Sequence, residues 1–198
     1  MNPEILKNAE KFSSEILGNN SSGHDWGHCL RVKNIAMDIA SDHACDKNLV
    51  ILSALLHDID DEKIFGNNGH KNLIEFCNSN NIDLSCREKV IAIIDFLSLD
   101  KKDDSVSIET QIVQDADNLD ALGAIGLARM FAFGGANGKV MYDGSKNDSF
   151  SHFYQRLIKL PELMNTTYAK EEAEKRLKFM QEFIEQFNSE IRQGDYNE

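Results

Sequence analysis

The sequence has little of what marks a membrane, secreted or disulfide-bonded protein. Its 198 residues include only two prolines, and no run approaches the ~20 apolar residues of a membrane helix. The four cysteines form no CxxC pair, so we expect reduced thiols that mostly fill the core. The N-terminal segment has scattered charge and no apolar run of signal-peptide length. These absences predict a cytoplasmic protein without a membrane partner.

Positive charge is also scarce. The chain carries 21 lysines and arginines against 33 aspartates and glutamates, a formal net charge of −12. Because we find no strongly basic face, the chain would repel a polyphosphate backbone, which argues against extended nucleic acid as a partner. Hydrophobic residues at 41% and charged residues at 27% are near the globular average, and this length predicts one domain with a substantial core.

Apolar residues recur at helical spacing along almost the whole chain, which predicts an all-α fold. Asn2 caps the first predicted helix and Asp25 the second. The stretch from Leu49 to Leu56 is almost wholly apolar, so a third helix is expected to cross the core and to end at His57 and Asp58.

The second half of the chain is also predicted to be helical. Ser85 and Glu88 form a capping-box pattern that predicts the start of another amphipathic helix. Helical spacing continues without a break from Ile108 to Phe133, until a group of glycines ends it. A helix around 150–160 and a long C-terminal helix complete the prediction.

Two histidines and several aspartates form the main candidate metal site. His57 and Asp58 end an apolar helix, where a polar pair either caps the helix in solvent or finds a partner such as a metal. His28 lies one turn into the second helix, and Asp117 interrupts an apolar pattern, with Asp120 one turn further along. Two imidazoles and two carboxylates from three helices form a mixed set that suits Mn, Fe, Co, Mg or Zn.

A second His-Asp pair, His24 and Asp25, precedes the second helix. Gly23 and Gly27 disfavour helix there, and Asp25 is the better cap, so His24 is expected in the preceding loop. In that position it is near His28 but outside the metal shell, where it either contacts a substrate phosphate or has a structural role.

These motifs resemble the HD-domain superfamily of metal-dependent phosphohydrolases. The order is His28 followed by Arg31 and Val32, then LLHD at 55–58, then DADNLDALG at 115–123. HDWGHCLRV at 24–32, HFYQRLIKLPELMNT at 152–166 and FMQEFIEQF at 179–187 are similar to a bacterial subgroup, the YedJ-like and YpgQ-like HD proteins. The resemblance implies a single HD domain over 1–198 with a central metal site. Its core motifs would lie in 24–120, and C-terminal helices over 148–193 would pack on them.

The resemblance also implies roles for individual residues. His28, His57, Asp58 and Asp117 would be the metal ligands, with Mn or Mg favoured among Mn, Mg, Co, Fe and Zn. Asp61, three residues after the motif aspartate, would orient water or carry its proton, although related nucleotidases have Glu at this place. No GYP stretch follows the motif, which argues against the branch that cleaves cyclic dinucleotides.

A phosphate substrate needs cationic or hydrogen-bonding groups on so acidic a chain. Lys63 and His70 follow the motif closely, and Arg129 lies about three turns beyond Asp117 on what the spacing predicts to be the same helix. With His24 these are the candidate substrate-binding residues, and each also fits ordinary surface charge. His43 and His152 are predicted to be structural or at the surface.

The glycine cluster FGGANGK at 133–139 invites comparison with a phosphate-binding P-loop. Phe133 occupies the position of the first required glycine and Val140 that of the Ser or Thr, so the P-loop interpretation fails.

By resemblance the favoured activity converts a nucleoside triphosphate to its monophosphate and pyrophosphate. The alternatives are a 5′-nucleotidase for (deoxy)nucleoside monophosphates, a metal-bound nucleotide sensor without turnover, and a helical scaffold with a structural ion. The partner is expected to be a small-molecule nucleotide, and a homodimer is left open.

Overall fold

The computed structural model describes residues 2–18, 23–99 and 101–194, and for Lys63 and Gln193 it describes the backbone alone. Within these ranges the chain is helical and contains no strand, which confirms the all-α prediction. In chain order the helices are α1 (Pro3–Leu17), α2 (Trp26–Ala40), α3 (Lys47–Leu56), α4 (Glu62–Phe65), α5 (Lys71–Ser79), α6 (Leu84–Leu97), α7 (Ile108–Asp120), α8 (Gly123–Ala136), α9 (Ser151–Gln155), a 3-10 segment (Leu157–Leu163) and α10 (Thr167–Gly194).

Side-chain caps set where the first helices begin. The Asn2 side chain accepts from the Glu4 amide, and Asp25 accepts from the His28 amide at 2.7 Å, so both predicted caps are confirmed. The predicted capping box at Ser85 is wrong. Helix α6 begins at Leu84 because Asp83 caps it by accepting from the Cys86 amide, which leaves Ser85 inside the first turn.

The predicted continuous helix from Ile108 to Phe133 is also wrong. The chain turns at Ala121 and Leu122, and α7 and α8 meet at a bend of 74°. Gly123 has a φ of +74°, a conformation that glycine adopts readily and that lets the chain change direction without a loop. Helical spacing on both sides conceals this break. Helix α8 includes Gly134 and Gly135 and ends at Ala136, within the glycine group that the sequence predicts as its end.

The prediction of one helix around 150–160 is only partly right, because α9 is short and a 3-10 segment containing Pro161 follows it. Among the described residues no single helix is long and apolar enough to cross a membrane. Helices α7 and α8 reach that length and composition only together, across their bend.

Helix α3 is the centre of the core. Its residues from Leu52 to Leu56 are fully buried, and it packs against α1, α2, α6 and α7. Helix α10 packs on α7, α8 and the 3-10 segment. This packing brings the first turn of α2, the end of α3 and the last turn of α7 to one place in the fold.

Candidate metal centre and cavity

Three helix ends position the four predicted metal ligands. His28 lies in the first turn of α2, three residues after the Asp25 cap, and His57 and Asp58 follow the last turn of α3. Asp117 lies in the last turn of α7. The first three are buried, whereas the Asp117 side chain is 33% exposed and lines a cavity. The structure therefore brings together all four residues from three separate elements.

The spacing of their donor atoms fits one divalent ion. His28 Nε2 is 3.1 Å from His57 Nε2, 3.4 Å from an Asp58 carboxylate oxygen and 3.3 Å from Asp117 Oδ1. His57 Nε2 is 3.4 Å from the other Asp58 oxygen and 3.9 Å from Asp117 Oδ1. Ligand atoms bound at about 2.0–2.2 Å to one ion are roughly 3–3.5 Å apart at right-angle or tetrahedral geometry. The cluster can hold such an ion, and the ligand assignment stays a prediction.

Hydrogen bonds on the far side of both imidazoles set which nitrogen faces the cluster. His57 Nδ1 donates to the carbonyl of Ala54 at 2.9 Å, and His28 Nδ1 donates to Asp120 Oδ2 at 2.7 Å. With the proton on Nδ1, each neutral ring presents the lone pair of Nε2 to the shared centre. This is the tautomer that metal binding through Nε2 requires.

The charges and hydrogen bonds within the cluster shift the pKa values of its own members. Burial alone would raise the pKa of Asp58, but the positive charge of His57 and the hydrogen bond from His24 outweigh it and hold the pKa well below its usual range. Burial likewise would lower the pKa of His57, but the charge of Asp58 raises it well above its ordinary value. The pKa of Asp117 is also depressed, against its burial, by its hydrogen bond with His28 and by the charge of His57.

His24 lies in the loop before α2, as predicted, and contacts the cluster. Its Nδ1 donates to Asp58 Oδ2 at 3.0 Å, and its ring meets the edge of the His28 ring at 5.8 Å between centroids. His24, His28 and Asp58 have donor atoms close enough to share an ion, so His24 borders the predicted shell. Its contact with substrate stays a prediction.

Sequence reasoning missed Cys29 as a neighbour of the site. Cys29 is buried, and its sulfur lies close enough to donor atoms of His57 and Asp58 for one ion to contact all three. Burial raises the pKa of the Cys29 thiol, which favours the neutral thiol over a thiolate ligand. The only sequence signal for this position is its adjacency to His28.

A cavity of about 850 Å³ opens beside the cluster, within the range of small-molecule sites. The carboxylates of Asp58 and Asp117 form part of its wall. Cationic and imidazole side chains line it at Arg129, Lys139, His152 and Arg156, and acidic ones at Asp60, Asp61, Glu62 and Asp95. Met130, Phe133 and Leu157 contribute apolar surface.

The predicted substrate and catalytic residues lie around this cavity where their side chains are described. Asp61 lines it, and its backbone amide donates to the carbonyl of Asp58 at 3.1 Å. His70 also lines it, with Nε2 at 3.0 Å from Asp95 Oδ1. Lys63 belongs to α4, but its side chain lies outside the described residues. The roles of these residues stay predictions.

Arg129 lines the cavity but is not on the helix of Asp117, so that part of the prediction is wrong. It lies on α8, and the bend after α7 turns it back towards the cluster. Its Nη1 donates to Asp120 Oδ2 at 2.9 Å and its Nε to the carbonyl of Gly23 at 2.9 Å.

Three basic side chains of the cavity lining are not among the predicted site residues. Lys139 lies in the loop after α8, and His152 and Arg156 come from α9 and the residue that follows it. The prediction that His152 is structural or an ordinary surface residue did not anticipate its position on the cavity wall. The spacing of four between His152 and Arg156, which places them on one helix face, is the signal that could have found them.

Comparison with known proteins agrees with this geometry. A family model for the HD domain matches residues 25–122, which span the whole ligand cluster. The Bacillus subtilis protein YpgQ is 36% identical over 94% of this chain and 95% of its own length.

Solved structures of HD-domain proteins are also similar to this chain. The crystal structure of Bacillus subtilis YpgQ in complex with ADP has a TM-score of 0.77 and 35% identity, covering 92% of this chain and 97% of that one. An HD-superfamily hydrolase from Bacillus thuringiensis has a TM-score of 0.75 and 39% identity, covering 96% and 97%. The chain therefore belongs to the HD-domain superfamily, in the subgroup that contains YpgQ, and is a metal-dependent phosphohydrolase.

Proposed function

We propose that this protein hydrolyses nucleoside triphosphates to the monophosphate and pyrophosphate. The observation that carries the proposal is the juxtaposition of the His28, His57, Asp58 and Asp117 cluster with a large cavity whose wall carries cationic side chains. The existence of an ADP complex of the related YpgQ supports a nucleotide as the ligand.

His28, His57, Asp58 and Asp117 are the proposed ligands of a divalent ion, with Mn or Mg favoured. When bound there, the ion supplies Lewis-acid polarisation of a phosphoryl group and a more acidic water. Since the two imidazoles keep their protons on Nδ1, both Nε2 atoms are available to it.

The cavity lining contains several carboxylates and three cationic side chains, and these three are called the cationic wall below. With a net charge of −12, the protein as a whole repels a triphosphate. Arg129, Lys139 and Arg156 line the cavity beside the cluster and can neutralise the phosphate tail. Phe133 and Met130 give a base an apolar face on which to pack.

In the proposed reaction, a water oxygen forms a bond to the α-phosphorus, and the bond from that phosphorus to the α,β-bridging oxygen breaks. Asp61 accepts the proton that the water loses. The products are the nucleoside monophosphate and pyrophosphate, which leaves as an anion with delocalised charge. Attack on a monophosphate would instead expel an alkoxide, a poorer leaving group that needs a general acid to protonate it as it leaves, whereas Asp61 is the proton acceptor in this reaction.

The test is a release assay on Mn-loaded protein over nucleoside tri-, di- and monophosphates, with pyrophosphate and orthophosphate measured separately. We expect pyrophosphate from triphosphates and no turnover by the Asp58→Asn variant. Orthophosphate from monophosphates alone would indicate a 5′-nucleotidase. Tight nucleotide binding without any turnover would indicate a sensor.

A further inference from the structure

Asp120 is a buried carboxylate that lies one turn after Asp117 on α7 and is 2% exposed. It accepts hydrogen bonds from side chains on two other helices. From α2, His28 Nδ1 donates to it at 2.7 Å, and Arg31 donates through Nε at 2.7 Å and Nη2 at 3.0 Å. From α8, Arg129 donates through Nη1 at 2.9 Å.

The partners of Asp120 lead to different parts of the site. His28 places its Nε2 in the ligand cluster, and Arg129 belongs to the cavity wall. Arg129 also donates through Nε to the carbonyl of Gly23, next to His24. The Arg129 side chain packs closely over Gly23, where a Cβ would meet it at 3.4 Å. One carboxylate thus connects the cluster, the cavity wall and the loop that carries His24.

We propose that Asp120 is the positioning residue that joins the metal ligand His28 to the phosphate-binding wall at Arg129. This inference rests on the proposed function of that wall. Asp120 holds the proton of His28 on Nδ1, so that Nε2 keeps its lone pair directed at the cluster. By the same carboxylate it fixes the Arg129 guanidinium at a constant distance from the ligands.

A packing role alone would make a different prediction, and the chain offers a matched control. Asp115 lies on the same helix, is fully buried and accepts hydrogen bonds from Asn165 and Thr166, which precede α10. Asp115 has no hydrogen bond to the cluster or to Arg129 among the described contacts. Asp115→Asn and Asp120→Asn therefore change equally buried carboxylates on one helix, and only the second touches the site.

The experiment measures the Mn²⁺ affinity of both variants by calorimetry without nucleotide. On Zn²⁺-loaded protein, NMR measures how fast the Nδ1 proton of His28 exchanges with water. We expect Asp120→Asn to weaken Mn²⁺ binding ~10- to 100-fold, in line with other residues that support metal ligands. The Nδ1 proton of His28 should exchange with water faster in this variant, because a neutral amide oxygen is a weaker acceptor than a carboxylate. Asp115→Asn should lower the melting temperature and leave both readings as in the unmodified protein.

Wild-type Mn²⁺ affinity in Asp120→Asn, with the His28 Nδ1 proton exchanging at the wild-type rate, would overturn the proposal and leave Asp120 a packing residue. If Asp120→Asn does not fold, the spectrum of the unmodified protein still decides, because a His28 ring without a protected Nδ1 proton contradicts the inference. Neither reading uses a nucleotide, so failure of the proposed hydrolysis would not affect them. Steady-state kinetics test the link to Arg129 separately. In Asp120→Asn the KM for a triphosphate should rise and kcat should fall.

Discussion

His28 Nε2, in α2, and His57 Nε2, directly after α3, face each other at 3.1 Å. Each ring donates its Nδ1 proton away from the other, to Asp120 and to the carbonyl of Ala54. Two neutral rings held in this way direct two lone pairs at each other, which is unfavourable unless a cation or a proton lies between them. This pair is the strongest geometric indication of a metal centre in the described part of the chain.

The first prediction concerns retention of the metal. A double variant, His57→Ala with Asp58→Ala, should lose the ion and all turnover, because the remaining ligands come from separate helices and cannot rearrange to replace two bonds. Elemental analysis after dialysis measures the occupancy, and Asp115→Asn serves as the control that should keep its metal. Full occupancy in the double variant would rule out the assigned ligand set.

The second prediction separates catalysis from metal binding. Asp61→Asn should keep the fold and the metal while the rate falls by ~10² to 10⁴, the usual contribution of a general acid-base group. Asp61 lines the cavity three residues after Asp58, so its carboxylate can reach the cavity without joining the cluster. Steady-state kinetics with a metal assay on the same sample check this, and an unchanged rate would remove Asp61 from the mechanism.

The third prediction tests the cationic wall at a residue that the sequence did not single out. Lys139→Met should raise the KM for a triphosphate ~10- to 100-fold, since a hydrogen bond to a charged group contributes about 1.5–3 kcal/mol. Lys146→Met is the matched control, because Lys146 lies in the same loop but does not line the cavity. Equal effects of the two substitutions on KM would mean that the loop charge acts only at long range.

The fourth prediction concerns the pH dependence of the metal-free protein. The raised pKa of His57 stabilises the fold fully below the ordinary value of 6.5, and this contribution is lost as the pH rises through the raised value. The lowered pKa of Asp58 contributes stability above 3.8 that is lost as the pH falls. The chelated protein should therefore be most stable between about pH 4 and 6.5.

Melting temperatures measured from pH 4 to 9, with chelator and with Mn²⁺, test this dependence. In chelator the melting temperature should fall above pH 6.5, whereas Mn²⁺ should remove the fall because the ion replaces the proton between the imidazoles. The His57→Gln variant in chelator should show a shallower fall over the same range. A melting temperature that rises with pH in the chelated protein would contradict the account.

Local rules made part of the site predictable from the sequence. The cap at Asp25 fixes the position of His28 on the first turn of α2, and the apolar run of α3 delivers His57 and Asp58 at its end. Both effects act over a few residues, so the identity of the neighbours along the chain is enough to predict them.

The rest of the site depends on contacts that no local pattern reports. The bend at Gly123 returns Arg129 to Asp120, nine residues earlier, although apolar spacing continues across the break. Lys139 and Arg156 reach the cavity because of how the loop after α8 and the segment after α9 pack. The spacing of apolar residues predicts which face of a helix is buried, but it does not predict the angle between that helix and the next one.

The proposed hydrolysis requires that water attack the α-phosphorus of a triphosphate beside the His28 and His57 cluster. Hydrolysis by Mn-loaded protein in ¹⁸O-labelled water, followed by mass spectrometry of the products, tests it most directly. We expect one label in the nucleoside monophosphate and none in pyrophosphate. Label in pyrophosphate would place the attack on the β-phosphorus, and label only in orthophosphate released from monophosphates would establish a 5′-nucleotidase; either result would contradict it.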